Sequence, residues 1–385
     1  MQNIMDYLDW RGDVSFACDS FNEVDNLIFS VLVYLDLQGI VPGEAEEGSV
    51  ALSQVAELLT PTDSQSISPV TRSFFSQVPI LLEKAAQSAR FRDVRLSRYV
   101  DQVDFERTKQ FSVVVFSINS GQHFVAFSGT DDTLTGWKED MQMSFKDVVP
   151  AQTQAAHYLK NAMESLEGHF YLGGHSKGGN LAVYAGSHAT PEMRDRIIAI
   201  YNNDGPGFQT SIIQSEGYQS IVARVMTFLP KSSVVGMLLE HCEEYKVVNS
   251  DEIGMMQHNA FSWEVKGPNF VYEEGLSKNS LSLNTAIRSW LDQVPMEERS
   301  EFVEALFELL QATGARTVSE LSQERLAGAK TMITTYRNLD PLTQSHLKNI
   351  LETLFSESQK VLRSSISEEV SSLISKTISK KKENV

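Results

Sequence analysis

The stretch His169–Ala182 reads HFYLGGHSKGGNLA and decides the fold of this chain. It begins with an apolar, aromatic run that is typical of a strand, and its continuation to Gly186 is typical of a buried helix. Between the two, Gly174-His175-Ser176-Lys177-Gly178 fits the Gly-x-Ser-x-Gly pattern of a nucleophile elbow, a sharp strand-to-helix turn that presents a serine. The stretch therefore predicts an α/β fold built around Ser176.

The glycines of this motif have a steric reason. A serine on such a turn is held in a strained conformation, and the residues two before and two after it must lack bulk because strand and helix pass close together. The first N–H groups of the following helix point at the same place, where they stabilise negative charge. By chance the bare pattern occurs in roughly one chain in ten of this length, so an ordinary glycine-rich turn is the alternative interpretation.

The composition excludes some classes of partner. The 385 residues carry a formal net charge of -17. Binding to nucleic acid needs a basic surface, so we expect no nucleic-acid partner. The same charge disfavours tight binding to anionic membranes. A hydrophobic share of 42% supports a sizeable core, and the length allows one large domain or two smaller ones.

Cysteine usage and the N-terminal sequence favour the cytoplasm. The chain has 2 cysteines, Cys18 and Cys242, as is usual in a reducing compartment. No Cys/His cluster has the spacing of metal ligands, so we expect no cofactor and no metal. Residues 1–7 lack the basic and apolar regions of a signal peptide. The chain has no run of about 18 uncharged apolar residues, so we expect no transmembrane segment. We therefore expect a cytoplasmic protein.

The order of elements divides the chain into two regions. Residues 1–275 alternate between strand-like and helix-like segments, which predicts a mainly parallel sheet covered by helices. Within them, residues from about 40 to 100 predict a helical cap or lid, with an ordinary surface insertion as an equal alternative. Residues 276–385 are predicted to be a helical C-terminal extension. Three roles are open for it: packing on the first region, forming a homo-oligomer, or binding a partner. Its predicted helices cover 283–291, 295–310, 318–336 and 342–378.

The candidate base is a histidine downstream of the serine. A serine hydroxyl is a poor nucleophile until a base takes its proton, and sites built on a nucleophile elbow take their partners in the order Ser, acid, His. His241 lies at the end of an apparent helix, where a cap or surface role is favoured. His258 follows Gly254 in a loop and precedes 261–265, which predicts a last strand. We therefore take His258 as the base, and a purely structural loop histidine is the alternative.

The candidate acid is Asp204. It directly follows the buried strand that ends at Tyr201, and a Gly-Pro-Gly turn comes after it. There it would orient His258 and stabilise its protonated form. An aspartate that only caps the turn is the alternative. Asp251 and Glu252 lie nearer to His258 in sequence but follow a different strand.

The candidate oxyanion hole uses two backbone N–H donors. One is the amide of Lys177, the residue after the nucleophile. The other is expected in the loop after a β-hairpin, whose two strands are predicted at 111–118 and 123–127 by alternation with period two. Thr130 occupies that loop and is our choice for the second donor.

The motifs resemble a known family. Phe127–Thr130 (FSGT), Trp137–Asp140 (WKED) and Gly174–Ala182 (GHSKGGNLA) are similar to the class 3 lipases within the α/β-hydrolases. More closely they resemble a bacterial family of uncharacterised lipase-like proteins, whose pattern His258 and Trp263 also fit. The resemblance covers roughly residues 1–275 and leaves the C-terminal helices outside it.

The resemblance implies an α/β-hydrolase fold, an acyl-enzyme on Ser176, His258 as base and an oxyanion donor at Thr130. The sequence departs from the family pattern at two places. It has Ser128 where class 3 lipases usually have Arg, and only Lys231-Ser232-Ser233 where their acid usually lies. Asp204 matches the position of the acid in some other lipases.

Together these features predict a serine hydrolase that cleaves carboxylic esters of lipid or other acyl type, with a small-molecule ester or lipid as substrate. An acyltransferase that uses the same acyl-enzyme is one alternative, since an alcohol would then intercept it instead of water. A non-catalytic hydrolase-like binding protein is another, because the usual position of the acid carries no carboxylate. A Ser-His dyad without acid is also open.

Overall fold

A nine-stranded sheet forms the centre of the computed structural model, which describes residues 1–59 and 76–318, together with 320, 331, 334–339, 341, 343–345 and 347–348. The strand order is β1-β2-β3-β4-β5-β6-β7-β8-β11, and β9 and β10 form a separate pair. The strands are β1 (Val50–Ala51), β2 (Arg95–Asp104), β3 (Lys109–Asn119), β4 (Gln122–Phe127), β5 (His169–His175), β6 (Ile197–Asn203), β7 (Val225–Pro230), β8 (Tyr245–Val248), β9 (Val265–Lys266), β10 (Asn269–Phe270) and β11 (Tyr272–Glu273).

The sheet is mixed. The strands from β4 to β8 run parallel to their neighbours, whereas β1 to β4 and the pair of β8 with β11 are antiparallel. The predicted hairpin is confirmed as β3 and β4, which turn at Asn119. The parallel arrangement predicted for the sheet therefore applies to its centre, and the whole is a mixed sheet of an α/β protein.

Helices cover both faces of the sheet. Alternate residues of a strand point to opposite faces, and β3 shows this directly. Val114 and Phe116 belong to one buried cluster, and Val113 and Val115 belong to a second. The helices are α1 (Ile4–Arg11), α2 (Glu23–Leu32), α3 (Leu52–Leu58), α4 (Val78–Gln87), α5 (Leu134–Gln142), α6 (Pro150–Ser165), α7 (Lys177–Ser187), α8 (Pro191–Arg194), α9 (Thr210–Ile213), α10 (Glu216–Ile221), α11 (Lys278–Gln293) and α12 (Met296–Gln311). The first cluster takes in α1 to α4, and the second α6, α7 and α10.

The region predicted as a cap contributes to this framework. Leu52 of α3 and Leu81 of α4 are buried in the same cluster as α1 and α2. The sequence does not predict β2, because Arg95, Arg98 and Asp101 interrupt its apolar positions. The strand nevertheless pairs with β3 from Arg95 to Asp104, with an irregularity between Ser97 and Val100. The assignment of 40–100 to a cap stays a prediction, and residues 60–75 lie outside the described residues.

The last strand predicted, at 261–265, is wrong. Ala260–Ser262 form a 3₁₀ turn, and the two-residue β9 begins only at Val265. The apolar run is explained by burial of the turn: Trp263 is fully buried and its Nε1 donates to the carbonyl of Gln257 at 2.9 Å. A buried turn thus has the same apolar content as a short strand.

The first two helices predicted for the C-terminal region are present, and the first of them begins earlier than predicted, at Lys278. The segments 283–291 and 295–310 are confirmed as helical by α11 and α12. The helices predicted at 318–336 and 342–378 lie largely outside the described residues. In the part of the chain that is described, no helix combines the length and the apolar character needed to span a bilayer.

Candidate active site

The candidate site residues meet at one edge of the sheet. Ser176 directly follows β5 and Asp204 directly follows β6, while Thr130 lies in the loop after β4. His258 ends a 3₁₀ turn, Gly254–His258, in the segment after β8. Parallel strands bring their carboxyl ends to the same edge, which is where open α/β sheets hold their ligands. The fold therefore brings these four residues to one side of the molecule.

The backbone at Ser176 has the strained geometry that the motif predicts. Its φ is +58° and its ψ is -133°, a conformation that non-glycine residues rarely adopt. A Cβ on Gly174 would come within 2.4 Å of the Phe127 carbonyl oxygen, and one on Gly178 within 2.1 Å. Both glycines are therefore required because β4, β5 and α7 pass this closely, and Ser176 stays half-buried at the bend.

His258 and Asp204 are hydrogen-bonded. The Nδ1 of His258 lies 2.6 Å from Oδ2 of Asp204, so Nδ1 donates its proton to the carboxylate and Nε2 is left as an acceptor. The other carboxylate oxygen accepts from the Ser233 hydroxyl at 2.5 Å and from the Gly236 amide at 3.2 Å. The Asp204 side chain is 1% exposed and that of His258 is 28% exposed. The carboxylate is thus buried with its oxygens engaged, and the imidazole reaches open space.

Ser176 and His258 line the same cavity, which has a volume of about 520 Å³. Thr130 and Lys177 line it too, so the cavity holds every predicted site residue except the buried Asp204 behind His258. The wall is otherwise mainly apolar. Its apolar members are Trp137, Met141, Met143, Pro206, Val234, Val235, Leu238, Leu239, Met255, Met256, Ile287, Phe302, Val303 and Val318.

The loop that carries Thr130 packs directly on the elbow. A Cβ on Gly129 would lie 2.6 Å from the His175 carbonyl oxygen and 3.1 Å from Cβ of Ser176. The hydroxyl of Thr130 donates to Oδ2 of Asp140. Burial raises the pKa of Asp140 to about 6, although the nearby Lys177 ammonium opposes this shift. The predicted donor at Thr130 is therefore held against the serine turn by backbone packing and by a carboxyl group.

The side chain of Lys177 belongs to a buried polar network. Its Nζ donates to Gln110 Oε1 at 2.5 Å and to Glu139 Oε2 at 3.2 Å. Burial alone lowers the pKa of a lysine, but the charges of Asp140 and Glu139 raise the pKa of Lys177 above its usual value. Glu139 in turn accepts from the backbone amides of Gln110 and Ala151. Gln110 Nε2 also donates to the Gly129 carbonyl at 3.4 Å, so the network joins α7 to the loop after β4. Class 3 lipases usually have an arginine in this loop, where the chain has Ser128.

Two residues without a predicted role support His258. The Nε2 of His175 donates to the carbonyl of His258 at 2.7 Å, and the Tyr34 hydroxyl donates to His175 Nδ1 at 3.2 Å. Burial lowers the pKa of His175 well below its usual value, with a further contribution from His258. His175 lies inside the elbow motif, which could have drawn attention to it. Tyr34 lies 141 residues away in sequence and has no local signal.

The other candidates do not line the cavity that contains Ser176. His241 contacts Glu243 Oε1 at 2.9 Å and the Gly236 carbonyl at 2.7 Å, so both of its ring nitrogens are engaged. Asp251 and Glu252 are exposed. Within the described ranges, no group of 3 or more His, Cys, Asp or Glu side chains is arranged to hold a metal ion.

Comparison with known proteins gives one family. The model of the Mbeg1-like family matches residues 85–308, more than half of the chain and past the boundary predicted at 275. No curated protein matches the sequence. Among solved structures 6 chains match. One is described as "Crystal structure of M37 lipase", with a TM-score of 0.35 and 12% identity, covering 57% of this chain and 71% of that chain.

Proposed function

The chain belongs to the Mbeg1-like family, a lipase-like family, and we propose that it has an α/β-hydrolase fold and cleaves carboxylic esters through an acyl-enzyme on Ser176. One observation carries the proposal. Ser176 lies on a strained turn and lines the same cavity as His258, whose Nδ1 is hydrogen-bonded to the buried Asp204. A serine, a base and an acid in this relation activate the hydroxyl for acyl transfer.

The proposed reaction has two halves. Ser176 Oγ attacks the ester carbonyl carbon while His258 Nε2 takes the hydroxyl proton, and the tetrahedral intermediate collapses when His258 returns that proton to the leaving alcohol. Water then attacks the acyl-enzyme, again losing a proton to His258, and releases the acid with Ser176 restored. Asp204 stabilises the protonated imidazole throughout, because its carboxylate is 2.6 Å from Nδ1.

The negative charge of the tetrahedral intermediate needs donors that are already in place. The Lys177 amide is the first of α7, so it also carries the positive end of the helix dipole. Thr130 is held next to Ser176 by the hydrogen bond from its hydroxyl to Asp140 and by the packing of Gly129 on the elbow. We propose these two amides as the oxyanion hole.

Thr130→Pro is expected to lower kcat by about 10²–10³-fold, because proline removes the amide N–H at the oxyanion position. Thr130→Ser is the matched control, since it keeps both the amide and a hydroxyl that reaches Asp140. Turnover of a short p-nitrophenyl ester measures the effect, and thermal unfolding shows that both variants are folded. A proline variant with the turnover of the serine variant would remove Thr130 from the mechanism.

Covalent labelling tests the proposed function. A fluorophosphonate reports an activated serine, and peptide mapping by mass spectrometry locates the adduct. We expect the adduct on Ser176 alone, although Ser144 and Ser232 line the same cavity and serve as internal controls. A folded protein that acquires no adduct, or carries it on the other two serines, would contradict the proposal. The first result would favour a hydrolase-like binding protein.

A further inference from the structure

The C-terminal helices supply part of the cavity wall. Phe302 and Val303 of α12 line the cavity together with Ser176, and so do Ile287 of α11 and Val318. Phe302 and Val303 are both 2% exposed. The region that the sequence placed outside the candidate hydrolase therefore reaches the catalytic centre.

Polar contacts hold α12 in place on α5. The carboxylate of Glu304 accepts from Lys138 Nζ at 2.6 Å and from Gln142 Nε2 at 3.5 Å. Arg299 Nη1 donates to the Ser144 carbonyl at 2.7 Å. Each of these bonds joins α12 to α5 or to the residues that follow it. The apolar wall thus has a defined position relative to the helix that carries Asp140.

The segment after α12 is tied to the oxyanion loop. The amide of Leu134 donates to the Arg316 carbonyl at 2.9 Å, and the amide of Val318 donates to the Asp132 carbonyl at 3.0 Å. These two hydrogen bonds join the residues that follow Thr130 to the residues that follow α12. The wall and the loop that positions the carbonyl of a substrate are therefore parts of one packed unit.

The chemistry decides which part of an ester meets this wall. The leaving oxygen must lie at His258, which returns its proton, and the carbonyl oxygen must lie at Thr130 and Lys177. The acyl chain is the third substituent of the carbonyl carbon, so it points away from His258. Met141 of α5 and Phe302 of α12 line the cavity. Both helices adjoin the loop of Thr130, because α5 carries the Asp140 that bonds Thr130 and α12 is bonded to α5 through Glu304.

We propose that α12 forms the wall of a pocket for the unbranched acyl chain of a fatty acyl ester, and that Phe302 and Val303 determine which chain length the pocket prefers. The inference rests on the proposed function for the ester chemistry. Apolar side chains and a flexible methionine suit a saturated chain. The cavity volume of about 520 Å³ lies within the range of pockets that bind small organic ligands.

Binding of saturated fatty acids, from butyrate to palmitate, tests the pocket without turnover. The wild-type protein is titrated by calorimetry beside Phe302→Ala, Val303→Phe and Phe307→Ala. Phe307 is the matched control, because it is a phenylalanine of the same helix and cluster, 3% exposed, that does not line the cavity. We expect Phe302→Ala to change the ratio of palmitate to octanoate affinity by about tenfold toward palmitate, Val303→Phe to shift it toward octanoate, and Phe307→Ala to leave it unchanged.

The outcomes separate this inference from the proposed function. The same variants are assayed with p-nitrophenyl esters of the same acids. Fatty acids that bind with the expected shifts to a protein that cleaves no ester would support the pocket and end the hydrolase proposal. Cleavage of esters with equal length preference in Phe302→Ala and Phe307→Ala would overturn the pocket and leave the hydrolase proposal standing. A wild-type protein that binds no fatty acid of any length would also overturn the pocket.

Discussion

Replacing Ser176 by alanine is expected to lower kcat for ester hydrolysis by about 10⁶-fold, because the variant has no hydroxyl to form the acyl-enzyme. The backbone of the elbow is set by Gly174, Gly178 and the surrounding strands, so the cavity should keep its shape. Residual catalysis of about 10³–10⁴ over water can persist, since oxyanion donors and substrate binding remain.

The measurement compares kcat for one ester in the wild type, Ser176→Ala and Ser144→Ala. Ser144 lines the same cavity, but its hydroxyl donates only to the carbonyl of Met141, at 2.7 Å, among the described contacts. Ser144→Ala should therefore retain wild-type turnover, and both variants should bind fatty acids as the wild type does. An alanine variant at 176 that keeps more than about a hundredth of the activity would show that the ester is cleaved without an acyl-enzyme on this serine.

The elbow could be predicted from sequence because its determinants are local. The two glycines, the serine between them and the strand and helix on either side all lie within a short stretch, His169–Gly186. The strain at Ser176 and the close approach of Gly174 and Gly178 to Phe127 are what such a stretch requires. The order of strands and helices likewise predicted the parallel centre of the sheet.

The supports of the site could not be predicted because they join residues far apart in the chain. Tyr34 reaches His175 from α2's C-terminal side, and Gln110 reaches Lys177 from β3. Neither residue type indicates such a role, since tyrosine and glutamine form hydrogen bonds with many kinds of partner. The same holds for Phe302, whose apolar periodicity in α12 predicts only that the helix packs against something.

The sequence leaves the choice of acid most open, and the structure gives the proposed acid, Asp204, a distinctive environment. Asp204 adopts a positive φ of +54° at the end of β6, a conformation that aspartate tolerates better than most residues. Its Oδ2 faces His258, and its Oδ1 faces two donors, the Ser233 hydroxyl and the Gly236 amide. A carboxylate accepts from all three, and an amide in its place cannot.

Asp204→Asn is expected to lower kcat by about 10⁴-fold, because it changes which ring nitrogen of His258 carries the proton. The two donors at the Oδ1 position favour the amide oxygen there, so the NH₂ group faces His258 Nδ1. That nitrogen must then accept, which places the ring proton on Nε2. An imidazole protonated at Nε2 cannot take the proton of Ser176, although the cavity and the oxyanion donors are unchanged.

Turnover and thermal unfolding of Asp204→Asn are to be measured beside Asp251→Asn. Asp251 is closer to His258 in sequence but is exposed, so its substitution should change kcat by no more than about twofold. If Asp204→Asn is folded and loses less than about tenfold, the imidazole acts without help from this carboxylate and the site is a Ser-His dyad. A large loss of kcat in Asp204→Asn but not in Asp251→Asn would identify Asp204 as the acid. Both substitutions remove one negative charge, but only Asp204 contacts Nδ1 of His258.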